Sequence, residues 1–281
     1  MFKKINISKY LAYLFLIVVC LIWIIPLIFG IATSFRSQTE VVSTGFRLLP
    51  VNWVIENYAA VLSDTSTAPI LRWIWNSIFI STTHTFLVLV VISVTAYGYS
   101  RMKFKGRDVL FFTLLGISFF PNVVNLIPSY KIIDTLGWVN TPWAMIVPGL
   151  AGMGNIFLVR QFMKGIPKDL DESARIDGAS DFKIYYKIIL PMIKPVLIVC
   201  ALFSFTGSWN DFLWPVIVYT DVEKMPVTAG LLLLQDVYGN YSMIGQLMGS
   251  ALLAVIPTML LFFFAQKYFV QSLDLSSGIK G

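Results

Sequence analysis

Long runs of residues without any charge constrain this chain more than any motif does. Uncharged stretches separate Lys9 from Arg36, Arg72 from Arg101, Asp108 from Lys131, Asp134 from Arg160, and Asp236 from Lys267. Each stretch can hold the about 20 mostly apolar residues that a transmembrane helix needs. A sixth apolar run extends from about 188 to 209, with Lys194 near its start, where a long side chain can reach the membrane interface. The pattern predicts an all-α integral membrane protein.

Six helices are the smallest number that accounts for these runs. We expect spans at about 11–33, 76–99, 109–128, 142–160, 188–209 and 247–268, within a single transmembrane domain that covers 1–281. The first run could instead be a secretory signal, since the chain begins Met1-Phe2-Lys3-Lys4. It is longer than the apolar core of about 7–15 residues typical of a signal, and no clear small-x-small cleavage site follows, so we interpret it as an uncleaved span.

Composition agrees with a chain that lies mostly in lipid. Hydrophobic residues make up 57% of it, charged residues 13%, and the mean hydropathy is +0.76, whereas soluble domains are about 25% charged. Cys20 and Cys200 both lie in apolar runs, which favours packing over a disulfide or metal pair. The one histidine, His84, excludes a histidine-rich site. No metal site is predicted.

The distribution of Lys and Arg predicts the orientation. With the N-terminus in the cytoplasm, sixteen of the 21 basic residues fall in the inner segments, as expected because cytoplasmic loops carry the excess of positive charge. The inner segments then include a loop at 164–187 and a tail at 269–281. Both termini are therefore expected in the cytoplasm, and the net charge of +6 does not require a nucleic acid partner.

The residues needed for catalysis or for ion-driven transport are scarce. No G-x-x-x-x-G-K-[ST] phosphate loop occurs, and with His84 alone no Ser/His/Asp or Cys/His set can form, so an enzyme is not expected. His84 is interpreted as a hydrogen-bonded residue of the helix bundle, with a proton relay as the alternative. Few acids lie at membrane depth, Asp211 being the nearest, which weakens the hypothesis of an ion-driven carrier.

Several amides lie beside helix-breaking residues at membrane depth. Asn122, Asn125 and Asn155 are close to Pro121, Pro148 and a glycine cluster, and Asn210 and Asp211 follow the fifth predicted span. Such side chains usually face the interior of a bundle, so they could line a transport path. Hydrogen bonding between helices is an equally good interpretation.

The polar segment 164–187 has the pattern of two short helices. Acidic residues open the first helix, where Asp171 and Arg175 are spaced to pair. Gly178 is predicted to end that helix, and Ser180 to cap the next. The segment could be a compact docking surface for a soluble partner, or an ordinary connector lying on the membrane.

The same segment carries a specific signature. Glu172-Ser173-Ala174, then Gly178 after three residues, then Ile188-Ile189-Leu190-Pro191 after nine more, resembles the E-A-A-x3-G-x9-I-x-L-P loop of importer-type ABC transporter permeases. The single departure is Ser173 in place of the first Ala. Similarity in Arg160-Gln161-Phe162, in Trp209-Asn210-Asp211-Phe212 and in the ending Gly278-Ile279-Lys280-Gly281 indicates the carbohydrate-uptake permeases of the maltose/multiple-sugar type.

The resemblance implies a type I importer permease in the bacterial cytoplasmic membrane that binds no cofactor itself. Its implied partners are a second permease, a cytoplasmic ATPase dimer carrying ATP and Mg²⁺, an extracytoplasmic solute-binding protein and a sugar. The implied ATPase-coupling residues are Asp171, Glu172, Ser173, Ala174, Arg175, Asp177, Gly178, Ala179, Ile188, Leu190 and Pro191. The implied ATPase-contacting tail contains Gly278, Lys280 and Gly281, and the implied binding-protein or sugar-release loop contains Gln235, Tyr238, Gly239, Asn240 and Tyr241.

Two other functions stay open at this point. The chain could be a carrier driven by an ion gradient, or a membrane scaffold without ATP coupling. Uptake into vesicles that contain this chain alone would favour the carrier.

Overall fold

The computed structural model describes residues 7–44, 47–65, 67–237 and 243–277. These residues form α-helices joined by turns, and no strand occurs among them. The helices are α1 (Ile7–Ser34), α2 (Gln38–Thr44), α3 (Glu56–Ser63), α4 (Ile70–Arg101), α5 (Arg107–Ile117), α6 (Leu126–Thr135), α7 (Trp143–Ile146), α8 (Met153–Lys164), α9 (Asp169–Ile176), α10 (Asp181–Ile184), α11 (Leu190–Met192), α12 (Lys194–Asn210), α13 (Leu213–Val218), α14 (Val227–Val237) and α15 (Ile244–Ser277).

Three helical segments among the described residues are long and apolar enough to cross a membrane unaided: Lys9–Ser34, Ile70–Arg101 and Ile244–Phe264. Two further crossings would each combine two helices across a bend. Arg107–Ile117 and Asn122–Thr135 meet at 88°, and Asp181–Met192 and Lys194–Asn210 meet at 76°. The number of spans and the sides of the membrane on which the termini lie stay predictions.

The region predicted as a single span at 142–160 has a different structure. It consists of the four-residue helix α7, a non-helical stretch at 147–152, and α8. Pro148 cannot continue the helical hydrogen bonds, and Gly149 has a φ of +85°, a conformation that disfavours a side chain. Composition predicts that this stretch lies at membrane depth, but a proline and a left-handed glycine stop it from forming one helix.

The chain divides into two compact units. Unit 1 contains Met1–Leu71 and Gly230–Ile256, and unit 2 contains Arg72–Ala229 and Pro257–Gly281. In unit 1 the Asn57 amide donates hydrogen bonds to the carbonyl oxygens of Ser34 (2.9 Å) and Arg36 (2.7 Å). α15 contacts the same amide through Gly245, where a Cβ atom would lie 2.6 Å from Asn57 Nδ2. Glycine is therefore needed for this close approach.

Unit 2 has a buried apolar core that joins α4 to the polar segment predicted at 164–187. The core includes Val88, Ile92 and Ala96 of α4 and Phe111 of α5. It also contains Ile156, Val159, Met163, Ile166, Ile184, Ile189, Ile193, Val196 and Cys200. Because one core takes residues from both, the segment is part of the folded unit and not a separate loop.

Candidate functional site

The first helix of the polar segment ends as its sequence predicts. Gly178 has a φ of +77°. Its N–H donates to Arg175 O (3.0 Å), and the N–H of Ala179 donates to Ala174 O (2.9 Å). These two bonds form a Schellman motif, which satisfies the last carbonyls of α9 and reverses the chain. The turn between the two short helices is thus held by backbone hydrogen bonds.

The second helix begins at the predicted cap. The Ser180 hydroxyl accepts a hydrogen bond from the Lys183 N–H, 3.4 Å away, at the start of α10. α10 continues directly into a π-helical turn, Tyr185–Ile189, and then into α11. Single π turns within helices are rare and often lie at functional sites. We call 164–193 the coupling segment.

The predicted pairing of Asp171 with Arg175 is wrong. Asp171 points inward, where its carboxylate forms an ion pair with Arg101, with 3.1 Å between Nε and Oδ2. Arg175 points outward and pairs with Asp181 at 2.7 Å. Spacing along one helix shows which residues could meet, but a buried carboxylate requires a buried partner. That partner is 70 residues earlier, at the end of α4.

Three side chains of α4 make polar contacts with the coupling segment, all from one face. Besides the Arg101 ion pair, the Tyr97 hydroxyl donates to Asp181 O (3.2 Å), and the Ser93 and Tyr185 hydroxyls are 2.8 Å apart. Ser93, Tyr97 and Arg101 are four residues apart, so they lie along one side of the helix. In the sequence, Arg101 only marks the end of an uncharged stretch. A polar stripe at helical spacing was the signal that could have identified this contact.

The opposite face of the coupling segment is exposed. Apolar side chains there include Ile176, which is 86% exposed, and Phe182, which is 74% exposed. Phe182 also stacks on the exposed Tyr186, with ring centroids 6.4 Å apart. The predicted coupling residues on this surface are Glu172, Ser173, Arg175, Asp177 and Gly178. Apolar side chains grouped in a polar segment are typical of a protein-interaction surface.

The other predicted coupling residues contribute to packing. Ala174, Ala179, Ile188 and Leu190 are partly buried against the core of unit 2. Pro191 is exposed, in the first turn of α11. The sequence signature therefore combines two kinds of residue, those that fix the shape of the segment and those that face away from the protein.

Arg160 holds α8 against α5 and the end of α4. Its side chain is fully buried, and its guanidinium lies 4.1 Å from the centre of the Phe111 ring. It donates hydrogen bonds to Asp108 Oδ1 (2.6 Å) and to Tyr99 O (3.2 Å). Packing against an aromatic face and pairing with a carboxylate make a buried arginine tolerable. Arg160 thus stabilises the helices that carry the coupling segment.

Unit 2 also contains a cavity of about 440 Å³, which we call the polar cavity. Its lining consists of His84, Asn122, Asn125, Leu126, Ser129, Met145, Pro148, Gly149, Gly207, Ser208, Asp211 and Trp214. His84 Nδ1 is 2.8 Å from Ile146 O, which agrees with the interpretation of His84 as a hydrogen-bonded residue. Burial raises the pKa of Asp211, which lies just beyond the end of α12, while backbone hydrogen bonds from Trp214 and Leu213 act to lower it.

Three of the five predicted path residues line this cavity. Asn122, Asn125 and Asp211 do so, whereas Asn155 and Asn210 are absent from its lining. His84 and Trp214 were not predicted there, because only the fold brings α4 and α13 to the same cavity.

The two remaining groups of predicted residues are largely outside the described part of the chain. Gln235 is exposed in α14. Tyr238, Gly239, Asn240 and Tyr241, and the tail residues Gly278, Lys280 and Gly281, lie outside the described residues. Among the residues that are described, no group of three or more His, Cys, Asp or Glu side chains could hold a metal ion.

Comparison with known families decides the class of protein. The family described as binding-protein-dependent transport system inner membrane component matches residues 88–275, a range that contains the C-terminal part of α4 and the whole coupling segment. The chain belongs to this family. As an inner membrane component it is a non-catalytic membrane subunit, and the prediction of an all-α membrane permease is confirmed.

Two relatives of this inner membrane component match almost the whole chain. The arabinooligosaccharides transport system permease protein AraQ of Halalkalibacterium halodurans is 33% identical over 267 residues, which are 94% of this chain and 93% of AraQ. The trehalose/maltose transport system permease protein MalG of Thermococcus litoralis is 34% identical over 267 residues, 94% of each chain.

A solved structure has the same fold. A chain in the crystal structure of a bacterial ABC transporter involved in the import of the acidic polysaccharide alginate aligns with a TM-score of 0.82. The alignment covers 96% of this chain and 99% of that chain, at 24% identity. This inner membrane component therefore has the fold of an ABC importer permease.

Proposed function

We propose that this chain is the permease subunit of an ATP-driven, binding-protein-dependent importer of di- or oligosaccharides, and that it couples to a cytoplasmic ATPase through the coupling segment. The observation that carries the proposal is the two-sided build of that segment. One side is exposed and apolar at Ile176 and Phe182, and the other is joined to α4 by an ion pair and hydrogen bonds.

This build suits the transmission of force. A rigid turn that presents an apolar surface can be bound and moved by a soluble partner. Since Asp171 and Tyr185 contact α4, a displacement of the segment pulls on the Arg101 end of that helix. His84 lies near the middle of α4, about 26 Å from Arg101 at about 1.5 Å per residue. Movement of the segment would therefore reach the polar cavity through one continuous helix.

The remaining machinery belongs to partner subunits. A second permease completes the translocation path, a solute-binding protein delivers the sugar, and the ATPase dimer binds ATP and Mg²⁺. The sugar class follows from the names of the relatives, since AraQ and MalG are permeases for oligosaccharides or disaccharides. We assign Asn122, Asn125 and Asp211 to the path.

Two contacts with partners stay predictions from the sequence. The loop of Gln235, Tyr238, Gly239, Asn240 and Tyr241 is proposed to meet the binding protein and assist sugar release. The tail residues Gly278, Lys280 and Gly281 are proposed to contact the ATPase.

The test replaces Gly178 with Ala in the complete transporter and measures sugar uptake and ATPase retention. A side chain at a φ of +77° strains the turn, so the segment should lose its docked shape, and uptake should fall at least about tenfold. Gly137→Ala is the matched control. Gly137 has a φ of +67° and, like Gly178, has open space where a Cβ would lie, but it is far from the segment in sequence.

A second variant, Glu172→Lys, reverses a charge on the exposed face and should release the ATPase while leaving the chain in the membrane. Equal losses for Gly178→Ala and Gly137→Ala would attribute the effect to strain alone. Normal uptake in both coupling variants, or uptake driven by an ion gradient without any ATPase, would overturn the proposal.

A further inference from the structure

The polar cavity lies in a part of unit 2 where the backbone is not helical. α7 ends at Ile146, and the chain then passes through Pro148 and Gly149 before α8 begins. In lipid, non-helical backbone is tolerated only where protein buries it or where it lines a water-filled cavity. The polar cavity has a volume of about 440 Å³. The volume falls within the about 300–1,000 Å³ of small-molecule sites.

The polar groups of the cavity are suited to hydroxyl groups. A backbone carbonyl can only accept, so His84 Nδ1 donates to Ile146 O, and Nε2 is the ring nitrogen left for another hydrogen bond. Asn122 and Asn125 begin and end a 3-10 turn, in which residues three apart lie on the same side. Both amides therefore face the cavity together, and each offers a donor and an acceptor.

One wall of the cavity offers a fixed aromatic ring. The Trp214 indole N–H donates to Ala144 O at 2.8 Å, which holds the ring in place. An indole with its N–H satisfied presents an apolar surface, and one face of a sugar ring consists of C–H groups. By contrast, another cavity of unit 2, about 340 Å³ and lined by residues such as Ile198, Leu202 and Phe205, is almost entirely apolar.

The charge of the lining selects among sugars. Asp211 is the single residue with a formal charge in the lining of the polar cavity, and no Lys or Arg belongs to it. A carboxylate accepts strong hydrogen bonds from hydroxyl groups. It repels a second carboxylate in a site of lowered dielectric. The site therefore suits an uncharged ring and disfavours a uronic acid.

We propose that the polar cavity of this subunit binds one neutral sugar ring of the translocated carbohydrate and excludes uronic acids. The proposal rests on the function proposed above and adds a binding site and a substrate class. Asp211, Asn122 and Asn125 would hold the hydroxyl groups, and Trp214 would contact the apolar face of the ring.

The test measures protection of a cysteine in the cavity. In the purified complete transporter, Cys20 and Cys200 are replaced by Ser, and Asn122→Cys provides a thiol for a methanethiosulfonate reagent. Glucose and arabinose are the neutral probes, and glucuronate, which differs from glucose by one carboxylate, is the acidic probe. We expect at least one neutral sugar to slow labelling, and glucuronate at the same concentration to leave it unchanged.

Replacing the charge supplies the second readout. Asp211→Asn should let glucuronate protect the thiol as well as glucose does. It should also raise the half-saturating concentration of the neutral sugar about tenfold, because a hydrogen bond to a charged acceptor is lost. Asn125→Leu, at an exposed position, should weaken protection about fivefold. The control is Thr206→Val, a hydroxyl that bonds to Leu202 O within α12 and is absent from the lining.

Failure of this inference and failure of the proposed function give different results. A transporter that takes up maltose or an arabinooligosaccharide with ATP keeps the function. It loses the site if no neutral sugar protects the thiol, or if protection is equally strong in Asp211→Asn, Asn125→Leu and Thr206→Val. A transporter in which neither sugar is taken up, while ATP is supplied and the binding protein is present, loses the function. Protection by glucuronate while Asp211 is intact would overturn the proposed charge selection.

Discussion

The two ends of α4 are both held by polar contacts, but the contacts differ in kind. At the Arg101 end the ion pair with Asp171 leaves only 3% and 10% of the two side chains exposed. At the Ile70 end the pair of Arg72 with Glu223 leaves 58% and 50% exposed. Around it, side chains bond to backbone, with Trp73 Nε1 donating to Val222 O at 2.6 Å.

The difference indicates two roles. The Ile70 end is anchored to the chain at 222–227, where Asn76 donates to Met225 O and the Val227 N–H donates to Ser77 Oγ. Such backbone bonds fix a position and depend little on charge. Breaking the buried pair at the Arg101 end would cost much free energy, because it would leave buried charges without partners. We therefore expect α4 to move together with the coupling segment. Under the proposed function, the Ile70 end would serve as an anchor and the Arg101 end would transmit the movement of the coupling segment.

The largest effect is expected from breaking the buried pair. Asp171→Leu leaves the Arg101 guanidinium buried without its carboxylate, which should cost about 3–5 kcal/mol of folding free energy. Thermal unfolding of the purified transporter measures the loss. Adding Arg101→Leu should recover much of the stability, because no unpaired charge is left, yet uptake should stay low because the contact is gone. Full recovery of uptake in the double variant would show that the contact has no role in transmission.

The next largest effect is expected at the anchor. Trp73 is fully buried, and Trp73→Phe removes its hydrogen bond and part of its volume. Leaving Val222 O without its donor should destabilise the protein by about 1–3 kcal/mol. The midpoint of thermal unfolding should fall, but sugar transported per ATP hydrolysed should not change. A change in that ratio would contradict the assignment of this end as an anchor.

A smaller effect on stability is expected from Tyr185→Phe. The ring keeps its contact with Tyr97 (centroids 5.2 Å apart) and loses only the hydroxyl near Ser93. One hydrogen bond is worth about 1 kcal/mol. Here sugar transported per ATP should fall although the unfolding midpoint barely moves. Ser93→Ala removes the same bond from the α4 side and should give the same ratio.

The smallest effect is expected at the exposed pair. Arg72→Gln should change the unfolding free energy by less than about 1 kcal/mol, and high salt should abolish the difference. Nearby, the hydrogen bond from Lys224 lowers the pKa of Asp221. Any folding free energy from that contact is therefore fully present at a pH above the unfolded-state pKa of Asp221. It is lost as the pH falls through the lower pKa that Asp221 has in the folded state. Measuring the unfolding midpoint against salt and pH tests both statements.

Features set by neighbouring residues could be predicted from the sequence. The turn at Gly178 and the cap at Ser180 depend on a few adjacent residues, and both form as expected. The pairing of Asp171 could not be predicted in the same way, because its partner Arg101 is remote in sequence. Hydrophobic composition likewise indicates which residues lie at membrane depth, but not the direction of the helix axis there. It therefore missed the 88° and 76° bends and the interruption at 147–152.

The cavity shows the same limit. Asn122 and Asn125 were predicted from their position beside helix-breaking residues, and Asp211 from its position after the fifth predicted span. His84 and Trp214 join them only through the packing of α4 and α13. Asn155 and Asn210 have similar sequence surroundings and lie outside the lining. A polar residue at membrane depth is therefore a candidate, and the fold decides which candidates share a site.

The π turn at Tyr185–Ile189 is a point at which the coupling segment could change its helical twist. A π turn holds one residue more than the α-helical turn it replaces. Rewinding it would twist α11 by about 100° and shift it by about 1.5 Å relative to α10. Only a few backbone bonds would exchange partners, so the motion would need no unfolding. α11 could thus rotate relative to α10 while Gly178 and its neighbours kept their shape.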